Sequence, residues 1–299
     1  MFSKLKSKLN PFNKLFDRIE KLETSINLVK ESLGRIECRQ LQKLAAPRKI
    51  ADMEFKVFSQ WGEDGIIQYL IREVCPSSNI FIEFGVENYR ESNTRFLLVN
   101  NNWAGLVVDG SISHIADIKR QAIYWQRNLK AVHHFITAEN INNIFEMNGI
   151  SGEVGLLSID VDGNDYWVWK SINSVRPAIV VCEYNFRFGP NRAVTIPYDP
   201  GFVRSKAHHS TIYYGASLRA LNILAEQKGY ILVGCNSAGN NAFFVRKDLK
   251  PNTLREVSVD EGFVQGKYRE TRNENGELTY LSCSEELDIL KKLPLIEVE

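Results

Sequence analysis

Apolar residues between positions 80 and 246 gather in seven short runs separated by polar, turn-rich segments. Runs of this length, bounded in this way, read as strands. They fall at Ile80–Phe84, Gly105–Asp109, Val132–Thr137, Val154–Asp160, Ala178–Glu183, Tyr230–Cys235 and Asn241–Arg246. The segments between them carry apolar residues at helical spacing, over Ser92–Asn101, Ile112–Trp125, Asn140–Asn148, Tyr166–Ser174 and Ala216–Lys228, and a further helix (EDGIIQYLIREV) follows Gly62. Strands alternating with helices predict a parallel sheet covered on both faces, an α/β fold of Rossmann-like plan. Gly229 is placed to end its helix. The last two strands are joined only by a short segment rich in Asn and Gly, which predicts an antiparallel hairpin.

A different period governs the N-terminus. Leu15, Ile19, Leu22, Ile26, Val29, Leu33 and Ile36 recur at alternating steps of four and three. That is a heptad seam of about three repeats, and its β-branched positions lean towards a parallel dimer. The expectation is a coiled-coil helix over residues 15–44 that makes the chain a homo-oligomer; the alternative is a helix packed on its own domain. Residues 1–14 interleave Lys4, Lys6, Lys8 and Lys14 with Phe2, Leu5, Leu9 and Phe12. Such an arm suits the anionic inner face of a membrane, although Pro11 is expected to interrupt it. Ala45 to Lys49 reads as a linker, residues 50–250 as the main domain, and 251–299 as an extension. In that extension Asn275-Gly276 predicts a turn, and Ser282 with Glu285 a capping box for a helix ending near Leu293.

Composition narrows the class. The chain has 299 residues, 44% hydrophobic and 24% charged, as expected of a packed globule. No apolar stretch is long enough to span a bilayer. Five scattered cysteines without a CxxC pair suit reduced thiols in a cytosol. The net charge of +1 hides an asymmetry: residues 1–50 carry twelve Lys/Arg against five Asp/Glu, so the remainder is −6. An acidic body argues against nucleic acid as the ligand.

Predicted strands end in carboxylates, among them Glu83, Asp109 and Asp160. Ligands of parallel α/β sheets bind at the carboxyl ends of the strands, so these acids are expected to share one site. Together with FSQWGEDG (58–65), FIEFGVENYRESNT (81–94), LLSIDVDGNDYWVWKSI (156–172), VVCEYN (180–185) and the stretch 214–245, they carry a resemblance. Over residues 58–248 the chain resembles S-adenosylmethionine-dependent methyltransferases, and among them the FkbM-like group. The resemblance implies the seven-stranded methyltransferase sheet and O-methylation of sugar hydroxyls in surface glycans or nucleotide-sugar precursors. One motif departs: where the family has a glycine-rich loop, only Gly85 remains, followed by Val86-Glu87-Asn88. Either the cofactor approaches differently or the site is degenerate.

The resemblance assigns candidate roles. Glu83 would face the amino-acid part of S-adenosylmethionine, and Gly85 would let the cofactor come close to the backbone. Ser92, Asn93 and Thr94, at a helix start, would bind its carboxylate or simply cap the helix. Asp109 would accept from the ribose hydroxyls. Ala138 and Glu139, after the third strand, are candidates to meet adenine.

Asp160, Glu183 and Asn185 form a candidate site for Mg2+ or Mn2+, since oxygen ligands suit a hard ion. The metal-free alternative is a general base, either Asp160 or one of His208 and His209. The loop 184–214 holds Arg187, Arg192, Arg204 and Lys206 and would suit an anionic acceptor. Trp167 and Trp169 are expected in the core. Two other functions stay open: a nicotinamide-dependent enzyme, disfavoured by the missing GxGxxG, and a non-catalytic scaffold, favoured by the missing glycines.

Overall fold

A computed structural model describes residues 2–44 and 47–299; the side chains of residues 1–13, 16, 17 and 20 lie outside the described set. The centre is a seven-stranded sheet. Strands β1 (Ile80–Phe84), β2 (Ala104–Asp109), β3 (Leu129–His133), β4 (Gly152–Ile159) and β5 (Val175–Glu183) run parallel. A two-residue strand, β6 (Val194–Thr195), lies outside this sheet and pairs with β9 (Ile296–Glu297). The hairpin strands β7 (Tyr230–Cys235) and β8 (Asn241–Arg246) complete the main sheet, with β8 antiparallel to both of its neighbours. The order β3-β2-β1-β4-β5-β8-β7 is that of the Rossmann-like methyltransferase sheet, with its terminal antiparallel hairpin.

Period-two alternation explains the two buried faces. Ile82, Leu106, Leu157, Val180 and Phe244 point to one core, shared with the helices Ile141–Met147, Asp165–Ser171 and Leu218–Gln227. Phe81, Val107, Leu156, Val181 and Phe243 point to the other, shared with Glu63–Val74, Arg95–Asn100 and Ile112–Arg120. Sheet residues alternate faces, so neither side can be left to solvent, and each is covered by helices.

Several predicted boundaries shift. The third strand begins and ends earlier than Val132–Thr137, because its buried residues are Leu129 and Ala131, and His133 already pairs with Asp109 at the end of β2. The helix predicted over Ile112–Trp125 is two helices, Ile112–Arg120 and Ala122–Gln126, broken at an extended Gln121. Pro11 does not interrupt the N-terminus: a single helix runs from Phe2 to Leu41. The predicted membrane contact of the arm rests on side chains outside the described residues. In the linker, Ala45 and Ala46 lie outside them too. Among the described residues no helix is long and apolar enough to cross a membrane.

The extension is built into the body. Its capping box forms as expected, with Ser282 and Glu285 exchanging bonds at the start of the helix Cys283–Leu290. Gly276 takes the left-handed conformation that closes the predicted turn. Glu270 and Glu286 from this segment pair with the fully buried Arg187 side chain at 2.8 and 2.9 Å.

Candidate active site

Strand ends β1, β4 and β5 bring Glu83, Asp160 and Glu183 to the wall of one cavity of about 510 Å3. Gln60, Trp61, Asn93, Asn240, Asn241, Tyr268 and Glu270 complete much of the lining. The wall is strongly acidic, with Glu87, Glu91 and Asp162 adding to it and only Arg204 and Arg269 opposing. Asp109 does not line this cavity. It stands one strand over, joined to it through the Glu87 amide, which donates to Asp109 Oδ2 at 2.8 Å.

Glu83 is held by the residues predicted to hold a ligand. Its Oε2 accepts from Ser92 Oγ at 2.5 Å, Thr94 Oγ1 at 2.5 Å and Thr94 N at 3.1 Å, and its Oε1 from Asn93 N at 2.8 Å. The Ser92–Thr94 trio is therefore occupied by this chain's own carboxylate, and the cofactor-carboxylate role expected of it is corrected: these groups fix Glu83 at the rim. Burial raises the proton affinity of Glu83, and the four donors oppose that rise. Oε1 accepts a single bond from the chain, so it keeps capacity for a donor from the cavity.

Gly85 lines the cavity, and the fold itself also requires a glycine there. Its φ is +66°, and a Cβ built there would lie 1.8 Å from the Asp160 carbonyl oxygen. The strands β1 and β4 pair directly, with Glu83 opposite Ser158, and the glycine lets the loop after β1 stay close against the end of β4.

Asp109 is also engaged. Besides Glu87 N, it accepts from Ser111 N at 2.8 Å and faces His114 Nδ1 at 3.1 Å. His114 is a neighbour that no sequence signal marked.

The fourth and fifth strand ends form the most unusual feature. Carboxylate oxygens of Asp160, Asp162 and Glu183 all lie within 4.8 Å of one another. Burial pushes the proton affinity of Asp160 and Glu183 well up, and the neighbouring acids push it further, while Arg204 opposes. Glu183 is 7% exposed, and its Oε2 has no hydrogen-bond partner. A buried carboxylate oxygen left unpaired costs free energy unless something meets it. Asp165 plays a different part. It accepts from Val161 N at 2.9 Å and Gly163 N at 3.1 Å, closing the turn after β4, and burial raises its pKa to about 6.

Asn185 is not part of this cluster. Its amide nitrogen donates to the carbonyls of Ile212 and Tyr214 at 2.8 and 3.1 Å, and its oxygen accepts from Arg187 N. A fully buried Asn with its groups already committed cannot turn to a metal, so Asp162 takes the third place in the oxygen set. His208 and His209 line neither this cavity nor the hollow beside it. His208 is bonded to Ser210 Oγ at 2.7 Å, and its ring lies 4.1 Å from that of His209.

The arginines of the basic loop are committed to acids, which leaves Lys206 as its exposed cation without an acid partner among the described residues. Arg204 bonds Asp162 at 3.1 Å and Glu270 at 2.5 Å, and its guanidinium lies 3.7 Å from the centre of the Tyr214 ring. Arg187 is committed to Glu270 and Glu286, and Arg192 pairs with Glu297 at 3.0 Å. Trp169 is core, as expected, and Trp167 donates to the Ile196 carbonyl.

On the other side of the Asp162–Arg204 pair lies a second, more apolar hollow of about 340 Å3, walled by Phe135, Val161, Phe202 and Val203. Phe135 stands over Gly110, just past Asp109. Ala138 and Glu139 do not reach either space. Tyr198 ties them down, accepting from Ala138 N at 3.0 Å and donating to Glu139 at 2.5 Å.

The FSQWGEDG motif supplied residues that strand-end arguments missed. Asp64 Oδ2 accepts from the amides of Val57, Phe58 and Ser59 at 2.7–2.8 Å. Glu63 accepts from Asn236 and Asn241 on the hairpin, at 2.7 and 2.9 Å. These two acids brace the loop so that Gln60 and Trp61 face the cavity, where Trp61 stacks on Tyr268 with 5.7 Å between ring centres.

No family model matches the chain, and no curated protein matches it. Among solved structures, it is similar to the N-terminal domain of EvdMO1 with SAH bound, at 10% identity over 72% of this chain and 94% of that one, with a TM-score of 0.40. It is also similar to an O-methyltransferase from Bacillus cereus in complex with SAH, at 15% identity, covering 70% and 88%, with a TM-score of 0.40. A third is an S-adenosylmethionine-dependent methyltransferase from Clostridium acetobutylicum, at 11% identity, covering 62% and 92%, with a TM-score of 0.39. Overlaps this loose carry no argument about chemistry, which must come from the chain's own residues.

Proposed function

We propose that the protein is an S-adenosylmethionine-dependent O-methyltransferase of the FkbM-like type, acting on a neutral sugar hydroxyl of a surface glycan or its precursor. The observation that carries this is the acidic cavity at the ends of β1, β4 and β5, with Glu183 Oε2 buried and unpaired inside it.

The residues fit the cofactor. Its positive charge suits an acidic wall, Glu83 Oε1 retains capacity for an ammonium donor, and the apolar hollow beside Phe135 and Val161, next to Asp109, suits a nucleobase and ribose. S-adenosylmethionine supplies an electrophilic methyl group on sulfonium. Glu183 and Asp160, whose burial and mutual proximity raise their proton affinity, are suited to accept the proton of the acceptor hydroxyl. Asp160, Asp162 and Glu183 also fit a divalent ion, since all three offer oxygen and one oxygen lacks a partner. Such an ion would supply Lewis acidity to the same hydroxyl. The stacked Trp61–Tyr268 pair gives a sugar ring a flat apolar surface, and Gln60, Asn240 and Asn241 offer amides to its hydroxyls. On the cavity wall Arg204 is committed to Asp162 and Glu270, and Arg269 stands against the Tyr280 ring with no acid partner among the described residues; the excess of carboxylates over these two cations favours a neutral acceptor over a nucleotide-linked one.

Calorimetric titration with S-adenosylmethionine, followed by methyl-transfer assays on neutral glycans and nucleotide-sugars with and without chelator, tests the proposal. Cofactor binding and transfer to a neutral glycan support it. The alternative is a non-catalytic scaffold, favoured by the engagement of both Glu83 and Asp109 with the chain's own donors. Absence of cofactor binding would overturn the proposal.

A further inference from the structure

The N-terminal helix has two faces, and the protein uses only one of them. Glu23 pairs with Arg90, Lys30 lies 5.1 Å over the ring of Phe58, and the Leu41 carbonyl accepts from Arg72 at 2.8 Å. Gly34 sits so close to Val57 and Phe96 that a Cβ there would lie 2.6 and 2.7 Å from their side chains. These contacts lie along one side and fix the helix on the domain.

The heptad residues lie on an adjoining face, about 100° around the helix from these contacts. Ile19, Ile26 and Leu33 at one seam position, and Leu15, Leu22, Val29 and Ile36 at the other, are each between 45% and 65% exposed. At 1.5 Å per residue the stripe is about 30 Å long. Solvent-exposed aliphatic residues at seven successive seam positions are not a solvated face.

We infer that this stripe is the interface of a parallel two-stranded coiled coil with a second copy of this chain. Over the first two heptads isoleucine at 19 and 26 with leucine at 15 and 22 is the packing that favours two strands, a pattern that the last heptad, with Leu33 between Val29 and Ile36, does not repeat. The docked face argues for the same number. A third helix would need the flank carrying Glu23 and Lys30, and the protein's own domain already covers that flank. Docking also holds the helix in place before association, so little ordering is left to oppose it. Register is set by the seam, and both domains then lie on the outside of the coil at the same end.

Sedimentation of the full chain at micromolar concentration is expected to give twice the chain mass of 34.2 kDa. The double variant Ile26→Lys with Val29→Lys alters only exposed side chains and is expected to sediment as a monomer with unchanged circular dichroism. Orientation is read with Leu15→Cys on a background of Cys75→Ser and Cys283→Ser, because both natural thiols are exposed: on mild oxidation a parallel pair gives a reducible covalent dimer that the background protein lacks. A monomeric or trimeric wild type would overturn the inference, as would a double variant that stays dimeric. A dimer in which Leu15→Cys fails to cross-link would overturn the parallel arrangement. None of these outcomes depends on the cofactor or on activity.

Discussion

Replacing Glu183 by Gln is the sharpest probe of the strand-end acids. Glu183 is buried, shares its surroundings with Asp160 and Asp162, and leaves Oε2 without a partner. Two unit charges no more than 4.8 Å apart repel by at least about 3.5 kcal/mol at an effective dielectric near 20. Arg204, bonded to Asp162, offsets part of this, so a net gain of about 1–2 kcal/mol is expected when the Glu183 charge is removed. For a chain of this size that corresponds to a rise in Tm of roughly 2–6 °C. The sign with pH follows from the direction of the shift. A carboxylic acid whose folded-state pKa is raised stabilises the fold at pH values below its ordinary pKa, and that stability is lost as pH rises through the raised value. The wild type should therefore lose more stability than Glu183→Gln as pH rises above the ordinary carboxylate range. Thermal denaturation of both proteins across that rise in pH is the assay, with and without Mg2+. An ion saturating the site at about 100 times its Kd adds about 2.7 kcal/mol to the wild type, and Glu183→Gln should lose that response. A lower Tm for Glu183→Gln at pH 8 would show that the carboxylate is paired after all and would refute the electrostatic account.

Gly85→Ala forces a side chain into a left-handed backbone and against the Asp160 carbonyl, so urea denaturation should show a loss of about 3–5 kcal/mol. A loss below 1 kcal/mol, on the order of a surface change, would mean that the loop moves freely away from β4. Asp109→Ala removes the acceptor of the Glu87 amide and should weaken S-adenosylmethionine binding roughly 10–100-fold by calorimetry; unchanged affinity would remove Asp109 from the cofactor site. Trp61→Ala should raise KM for a glycan acceptor roughly 2–10-fold and leave cofactor affinity unaltered. A change in cofactor affinity instead would move Trp61 to the other half of the site.

Local pattern determined much of this protein. Alternating apolar runs located six of the seven main-sheet strands within a few residues, the hairpin at their end, and the carboxylates at Glu83, Asp109 and Asp160, because strand burial has period two and acids appear where the strands stop. The heptad is likewise legible from spacing alone. The partners of each polar group were beyond the reach of sequence, because hydrogen bonding in this site joins residues far apart in the chain. Only the folded chain shows that Ser92–Thr94 serve Glu83, that Asn185 turns inward to the 212–214 carbonyls, and that Asp162 takes its place beside Asp160 and Glu183. Only there do Glu270 and Glu286, more than eighty residues after it, neutralise the arginine that looked free. Periodicity records which face of an element is buried, whereas the identity of a neighbour is set by long-range closure of the chain, and that closure decided the chemistry of this cavity.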